Sequence, residues 1–193
     1  MDPLKIDLRT FDIGVRAESP GAYALMITNL VTESWRDGAD VVVLPEFAWL
    51  GLERFVEGEN KLGEVATLFW DKLWPEVQQQ LAHSPKVCVL GTAPFLMPDG
   101  TMLNRSPILC EGRALSQDKI NLTPWEAGFT GGGSLHLFHY HGLKMAVIIC
   151  LDIEVPELSV ALRHQQVDVL LVPSATESQM GMERVGRCAS ARE

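Results

Sequence analysis

A chain of 193 residues, 47% hydrophobic and 21% charged, has the length and composition of one globular domain with a substantial core. Its formal charge of −9 argues against nucleic acid, whose phosphates are neutralised by Lys and Arg, and against docking on an anionic membrane surface. No apolar run approaches the roughly 18 residues of a membrane span, the start MDPLKIDLRTFD is too charged for a signal peptide, and the four cysteines form no C-x-x-C pair, so a reduced cytoplasmic setting is expected.

In chain order, LKIDLRTF alternates apolar and polar residues and reads as a first strand. A helix follows, with Ser19 as N-cap, Pro20 at its first position, a buried stripe of Leu25, Met26, Leu30 and Val31, and a stop at Asp37-Gly38. DVVVLPE reads as a short buried strand. A second helical region is expected from Lys61 to Ala82, kinked or broken at Pro75. KVCVLGTAPF is the next strand. After a turn at Asp99-Gly100, SPILCEGRALSQ reads as two strands joined at Glu111-Gly112, and LHLFHYHGLKMAVIIC as a hairpin turning near His141-Gly142. VPELSVALRHQQ is an amphipathic helix, VDVLLVPSA a buried strand, and MGMERVGRCASARE the opening of a last helix. Strands that alternate with helices, with hairpins among them, predict an α/β class with a mixed sheet.

Three strand ends carry reactive groups: Glu46 after DVVVLP, Lys119 after the strand ending SQD with Glu126 seven positions on, and Cys150 after MAVII. In open α/β sheets the carboxyl ends of strands converge on the ligand crevice, so groups distant in sequence can meet there. A carboxylate could take the thiol proton as sulfur attacks an electrophilic carbon. An ammonium and the N–H after the nucleophile could stabilise the oxyanion. Each residue also has an ordinary reading: a core cysteine, a solvated lysine, a Pro-Glu turn, a glutamate capping a loop. The histidines His136, His139 and His141 do not share one strand face, and GFTGGGS lacks the Lys-Ser/Thr and strand-to-helix setting of a phosphate loop.

The segments GADVVVLPE, DKINLTPWE and AVIICLDIEVPE resemble, in order, the three signatures of the nitrilase superfamily, the carbon–nitrogen hydrolases. LNRSPILCEGR resembles the family's Asn-initiated strand, and RVGRCASARE the entry into its Arg-Ala-x-Glu helix. The resemblance implies an α-β-β-α sandwich over residues 1–193, C-terminally truncated because the family continues with strands beyond that helix. It implies a Glu–Lys–Cys triad of Glu46 as general base, Lys119 as oxyanion-stabilising cation and Cys150 as nucleophile. Glu126 would support Lys119, and the Leu151 backbone N–H would join the oxyanion hole. Leu151 stands where many members have Tyr, and Val155 where many have Phe. Cys150-Leu151-Asp152 in place of C-W-E favours a small amide or N-carbamoyl substrate over a nitrile. No metal or organic cofactor is implied, and a homodimer with VPELSVALRHQQ near its interface is. The expectation from another class is a catalytically silent scaffold subunit, motivated by the early stop; acyl transfer to an amine would use the same residues.

Overall fold

The computed structural model describes residues 3–176 and 179–190; Met1-Asp2 of the N-terminal stretch and Ala191-Arg192-Glu193 of the last helical stretch lie outside them. One mixed sheet holds β1 (Ile6–Leu8), β2 (Val41–Val43), β3 (Val87–Val89), β4 (Ala93–Leu96), β5 (Met102–Cys110) and β6 (Arg113–Asp118). A second holds β7 (Leu137–Tyr140), β8 (Leu143–Val147) and β9 (Val169–Leu171). The α-helices are α1 (Pro20–Arg36), α2 (Lys61–Thr67), α3 (Trp74–Leu81), α4 (Pro156–His164) and α5 (Gln179–Ser190).

The layering follows from side-chain alternation along the strands. Val42, Cys88, Leu90 and Leu109 face α1, α2 and α3, joining Tyr23, Ile27, Val31, Val65, Phe69 and Val77 in one core. The alternate residues Val41, Val43, Val87, Val89, Ile108 and Cys110 face the second sheet, meeting Phe138, Tyr140, Met145 and Val147. The outer face of that sheet packs Ala146 and Ile148 against Ile153, Leu162 and, from α5, Val185 and Cys188. Strands buried on both faces explain why DVVVL and AVII read as unbroken apolar runs. Three cores between four layers make an α-β-β-α sandwich, as the resemblance implies.

KVCVLGTAPF, expected as one strand, is interrupted. The register steps by one between Val89↔Ile108 and Ala93↔Arg105, so Leu90, Gly91 and Thr92 face Ser106 and Pro107 in a β-bulge. Pro107 has no N–H to give, and its carbonyl accepts from Leu90 at 3.0 Å, so the bulge is where an interior strand tolerates a proline. Gly91 has φ +68, and a Cβ there would lie 2.1 Å from the Pro45 carbonyl oxygen. Gly91→Ala is therefore expected to cost roughly 2–4 kcal/mol, a left-handed penalty plus a backbone clash, read as a lower urea midpoint at unchanged slope.

Other expectations shift in detail. Ser19 caps α1, accepting from Ala22 N at 3.1 Å, with Pro20 at its start. The buried face of α1, however, is Tyr23, Ala24, Ile27, Thr28, Val31 and Ser34; of the expected stripe only Val31 is buried, and Leu25 is exposed. Apolar residues cover both candidate faces of this helix, so their pattern left its rotation undecided and the aromatic Tyr23, whose hydroxyl bonds the Ala48 carbonyl at 2.7 Å, settles it. In β1 the alternation is inverted: Ile6 and Leu8 are exposed, Leu8 at 74%, because the strand is a sheet edge. The expected break at Pro75 is a π-helical turn, Leu68–Leu73, that places Pro75 in the first turn of α3, where its missing N–H is least costly. Both hairpins turn where expected, through left-handed pairs Glu111-Gly112 and His141-Gly142.

Candidate active site

β2 delivers Glu46. Leu44 extends the ladder with an N–H bond to Val89 O at 2.9 Å, and the chain then leaves the sheet through Pro45. Phe47, at φ +60, is held by its N–H on Thr92 Oγ1 at 2.8 Å, and Trp49 Nε1 bonds Leu90 O at 2.8 Å. The bulge thus supplies the partners that turn the Glu46 carboxylate inward, where the residue is 3% exposed.

β6 delivers Lys119, whose backbone N–H donates to Asn104 O in β5 at 2.9 Å and whose carbonyl accepts from Gly132 at 2.7 Å. A Cβ on Gly132 would sit 2.6 Å from Asp118 Cβ, so this part of GFTGGGS is a close backbone lining for the lysine strand. Lys119 is 1% exposed and bridges two carboxylates: Nζ donates to Glu46 Oε1 at 2.7 Å and to Glu126 Oε2 at 2.6 Å. Glu126 closes a short 3₁₀ turn, Pro124–Glu126, capped by Thr123, whose N–H and Oγ1 both donate to Oε2 at 2.9 Å. Asn104 Nδ2 donates to Oε1 of Glu46 and to Oε1 of Glu126, each at 3.0 Å.

β8 delivers Cys150. Ile148 N–H reaches Leu171 O at 3.1 Å and Cys150 N–H reaches Pro173 O at 2.9 Å, so pairing with the β9 side persists to the cysteine. There φ turns to +46, a left-handed conformation that costs a non-glycine residue about 1–3 kcal/mol and throws the side chain out of the strand line. A 3₁₀ turn, Cys150–Glu154, follows, with Leu151 at its second position, where helices leave N–H groups without intrahelical partners. Asp152 holds this turn. Its fully buried carboxylate accepts from the N–H of Ile149 at 3.1 Å, Ile120 at 3.2 Å and Asn121 at 2.7 Å, and from Asn121 Nδ2 at 3.0 Å. The cysteine turn and the lysine segment are therefore one clamped unit.

The electrostatics separate the two glutamates. Burial pushes the Glu46 carboxyl up, against the opposing pull of Lys119. Burial acts the same way on Glu126, but bonds from Lys119, Thr123 and Asn104 outweigh it and hold that carboxyl below its ordinary range. Burial would lower the Lys119 ammonium, yet the two carboxylates raise it, so it stays charged. Burial and the Glu46 charge push the Cys150 thiol up to about 11, against Lys119 and the Ala175 contact. The resting Cys150 is a protonated thiol beside the charged Lys119 and Glu126. Cys150 Sγ lies 3.5 Å from Ala175 O, and Ala175 N–H approaches Glu46 Oε2 at 3.3 Å. Glu46 Oε1 is occupied by Lys119 and Asn104, which leaves Oε2, with its longer Ala175 contact, as the oxygen better placed to take a proton.

The structure brings Glu46, Lys119 and Glu126 into hydrogen-bonded contact and sets Cys150 beside them, with Leu151 next in the turn. Sequence reasoning missed two groups. Asn104 entered only as the start of a strand, and Asp152 only as part of the cysteine motif. A polar residue in an otherwise apolar strand, and an acid two places after the cysteine, were the available signals. The histidines do not converge: His136 bonds Ser116 O and Ser134 Oγ, and His141 stacks on Tyr140. Among the described residues no group of three or more His, Cys, Asp or Glu could hold a metal ion. An open cavity of ≈ 520 Å³ lies along α2, lined by Phe55, Asn60, Glu64, Lys72 and Leu96 among others, and includes none of the four clustered groups.

The sheet-on-sheet fold matches known proteins. The sequence model of the carbon–nitrogen hydrolases matches residues 12–193, and the chain belongs to that family, within the nitrilase superfamily. It is similar to a probable hydrolase, YhcX, of Bacillus subtilis (strain 168), 27% identical over 159 residues, covering 80% of this chain and 31% of that protein. It is similar also to an (R)-stereoselective amidase of Pseudomonas sp., 29% identical over 175 residues, covering 89% of this chain and 62% of that one. The chain thus spans less than two thirds of the length of both curated relatives. A solved structure of an amidase from Nesterenkonia sp. AN1 shares the fold at a TM-score of 0.73 and 18% identity, over 98% of this chain and 74% of that one.

Proposed function

We propose that the chain is a thiol-dependent hydrolase of non-peptide C–N bonds, cleaving a small amide or N-carbamoyl compound through a thioester on Cys150. The observation that carries this is the arrangement of Glu46: one carboxylate oxygen held by Lys119 and Asn104, the other reached by the N–H of Ala175, the residue whose carbonyl lies 3.5 Å from Cys150 Sγ. As sulfur attacks the carbonyl carbon, Glu46 Oε2 takes the thiol proton. The buried site keeps its net charge, because the negative charge only moves from carboxylate to sulfur and on to the substrate oxygen. Lys119 Nζ and the Leu151 N–H stabilise that oxygen. The C–N bond breaks as Glu46 returns its proton to the departing amine. Water, deprotonated by the same carboxylate, then attacks the thioester and frees the acid and the thiol. The Pseudomonas relative is an amidase by name, and in the Nesterenkonia amidase acrylamide adds to the active-site cysteine of a glutamate-to-glutamine variant. Both support an amide as substrate and a cysteine as the reacting group.

Iodoacetamide is expected to label Cys150 ahead of Cys88, Cys110 and Cys188 and to stop ammonia release from small amides in step with that label. Equal labelling of all four thiols, without release from amides or N-carbamoyl compounds, would end the proposal. The pH profile adds a sign. Glu46 works as a base only when ionised, and burial raises its carboxyl, so kcat/KM falls as pH drops through a midpoint above the ordinary glutamate range.

A further inference from the structure

Asn104, which takes part in no chemical step of the mechanism above, touches Glu46, Glu126 and Lys119. It lies in β5 between two paired neighbours, with no exposed surface. Its carbonyl accepts the Lys119 N–H at 2.9 Å, and its side-chain nitrogen donates to Glu46 and to Glu126. One strand residue therefore fixes the lysine backbone and both carboxylates. The amide orientation follows from chemistry: both acceptors are carboxylate oxygens, so the nitrogen must face them. The other end, Oδ1, is buried with no hydrogen-bond partner among the described residues, so the amide presents its two donors with its acceptor unsatisfied.

The two glutamates are chemically identical and share one lysine, so something must decide which is the base. Glu126 receives donors on both oxygens, from Asn104 on Oε1 and from Lys119 and Thr123 on Oε2. Glu46 receives Lys119 and Asn104 on the same oxygen, Oε1, and the long Ala175 contact on Oε2. We propose that Asn104 is the positioning residue that divides the roles of the two glutamates. By gathering both on one amide nitrogen, it keeps Glu126 as the permanent counter-ion of Lys119 and leaves Glu46 Oε2 open toward Cys150. The inference rests on the proposed function and names what makes its base selective. Without the amide, Glu46 loses a neutral donor that favours its ionised form. Lys119 then settles on Glu126, whose Thr123 bonds survive, and the proton-accepting form of Glu46 becomes harder to reach.

The test compares Asn104→Leu, which fills a similar volume without donors, and Asn104→Asp, which keeps the shape and adds an acid. Both are read by the pH dependence of iodoacetamide labelling at Cys150, with the half-buried Cys188 as internal control, and by kcat/KM on an amide. In both variants the acid limb is expected to move to higher pH by one unit or more, and labelling at neutral pH to fall about tenfold relative to Cys188. An unshifted limb in a folded variant, with activity lowered equally at every pH, would mean that Asn104 only packs, and would overturn the proposal. Should Asn104→Leu not fold, Asn104→Asp alone decides by the same limb. A wild-type protein whose Cys150 labelling shows no acid limb would instead remove Glu46 as base, and both readings with it. A wild-type limb that neither variant moves removes only the role of Asn104.

Discussion

Cys150→Ala is expected to reduce ammonia release from any accepted amide to background, a loss of at least about 10⁴-fold, while leaving the fold in place. The size of the effect follows from chemistry: no other residue of the cluster can form the acyl intermediate. Glu46 and Glu126 are tied to Lys119 and Asn104, and Lys119 is a charged donor with no lone pair to offer. The small effect on stability follows from packing. The turn is held by the N–H of residue 150 on Pro173 O and by the Asp152 clamp, neither of which involves the sulfur. The left-handed φ remains in the variant, so its strain does not change. Loss of the thiol's few contacts should stay within about 1 kcal/mol. A thermal melt and an ammonia assay on the same preparation check both halves. Turnover within tenfold of the parent would exclude Cys150 as the nucleophile.

How much of this could be read in the sequence depends on how local the cause was. The hairpins were legible because Glu111-Gly112 and His141-Gly142 carry their own turn chemistry between apolar runs. The N-cap at Ser19 and the placement of Glu46, Lys119 and Cys150 at strand ends are likewise fixed within a few residues. The bulge at Gly91 was not legible, because its cause is the approach of Pro45, far away in the chain. Nor was the rotation of α1, which Tyr23 settles through Ala48. Asn104 meets carboxylates from two other loops, and Asp152 ties the cysteine turn to the lysine segment. A single sequence marks such residues only as polar positions in odd places. The motifs pointed to Glu46, Lys119 and Cys150, and the structure adds what restrains them.

The restraint has a cost that Lys119 reveals. Lys119→Met keeps length and apolar contacts but leaves Glu46 and Glu126 buried with no cation between them. Removing one partner of a buried ionic cluster destabilises by about 3–5 kcal/mol, because the remaining charges must be desolvated or neutralised. In the variant both carboxyls can relieve the conflict by taking up protons, so Glu126 rises above its unfolded value and Glu46, already raised in the parent, rises further. Groups shifted that way penalise the fold at high pH and cease to do so as pH falls through the raised values. In the parent, Glu126 is shifted the other way, so its stabilisation is present above its unfolded pKa and fades as pH falls through its lowered folded value. The variant's trend shrinks the gap between parent and variant as pH falls, and the parent's Glu126 trend adds to this only below the unfolded glutamate value. Thermal melts should therefore show the full deficit at pH 8 and a much smaller one near pH 5. A deficit independent of pH would mean that Lys119 contributes packing rather than charge. Activity should not recover with stability. At pH 8 the variant lacks the cation on the developing oxyanion, worth about 10²–10³ in rate by itself. As pH falls its glutamates take up protons and can no longer accept the thiol proton. Hydrolysis is expected to stay at least a thousandfold below the parent across the range, so the acid that restores the fold also removes the base.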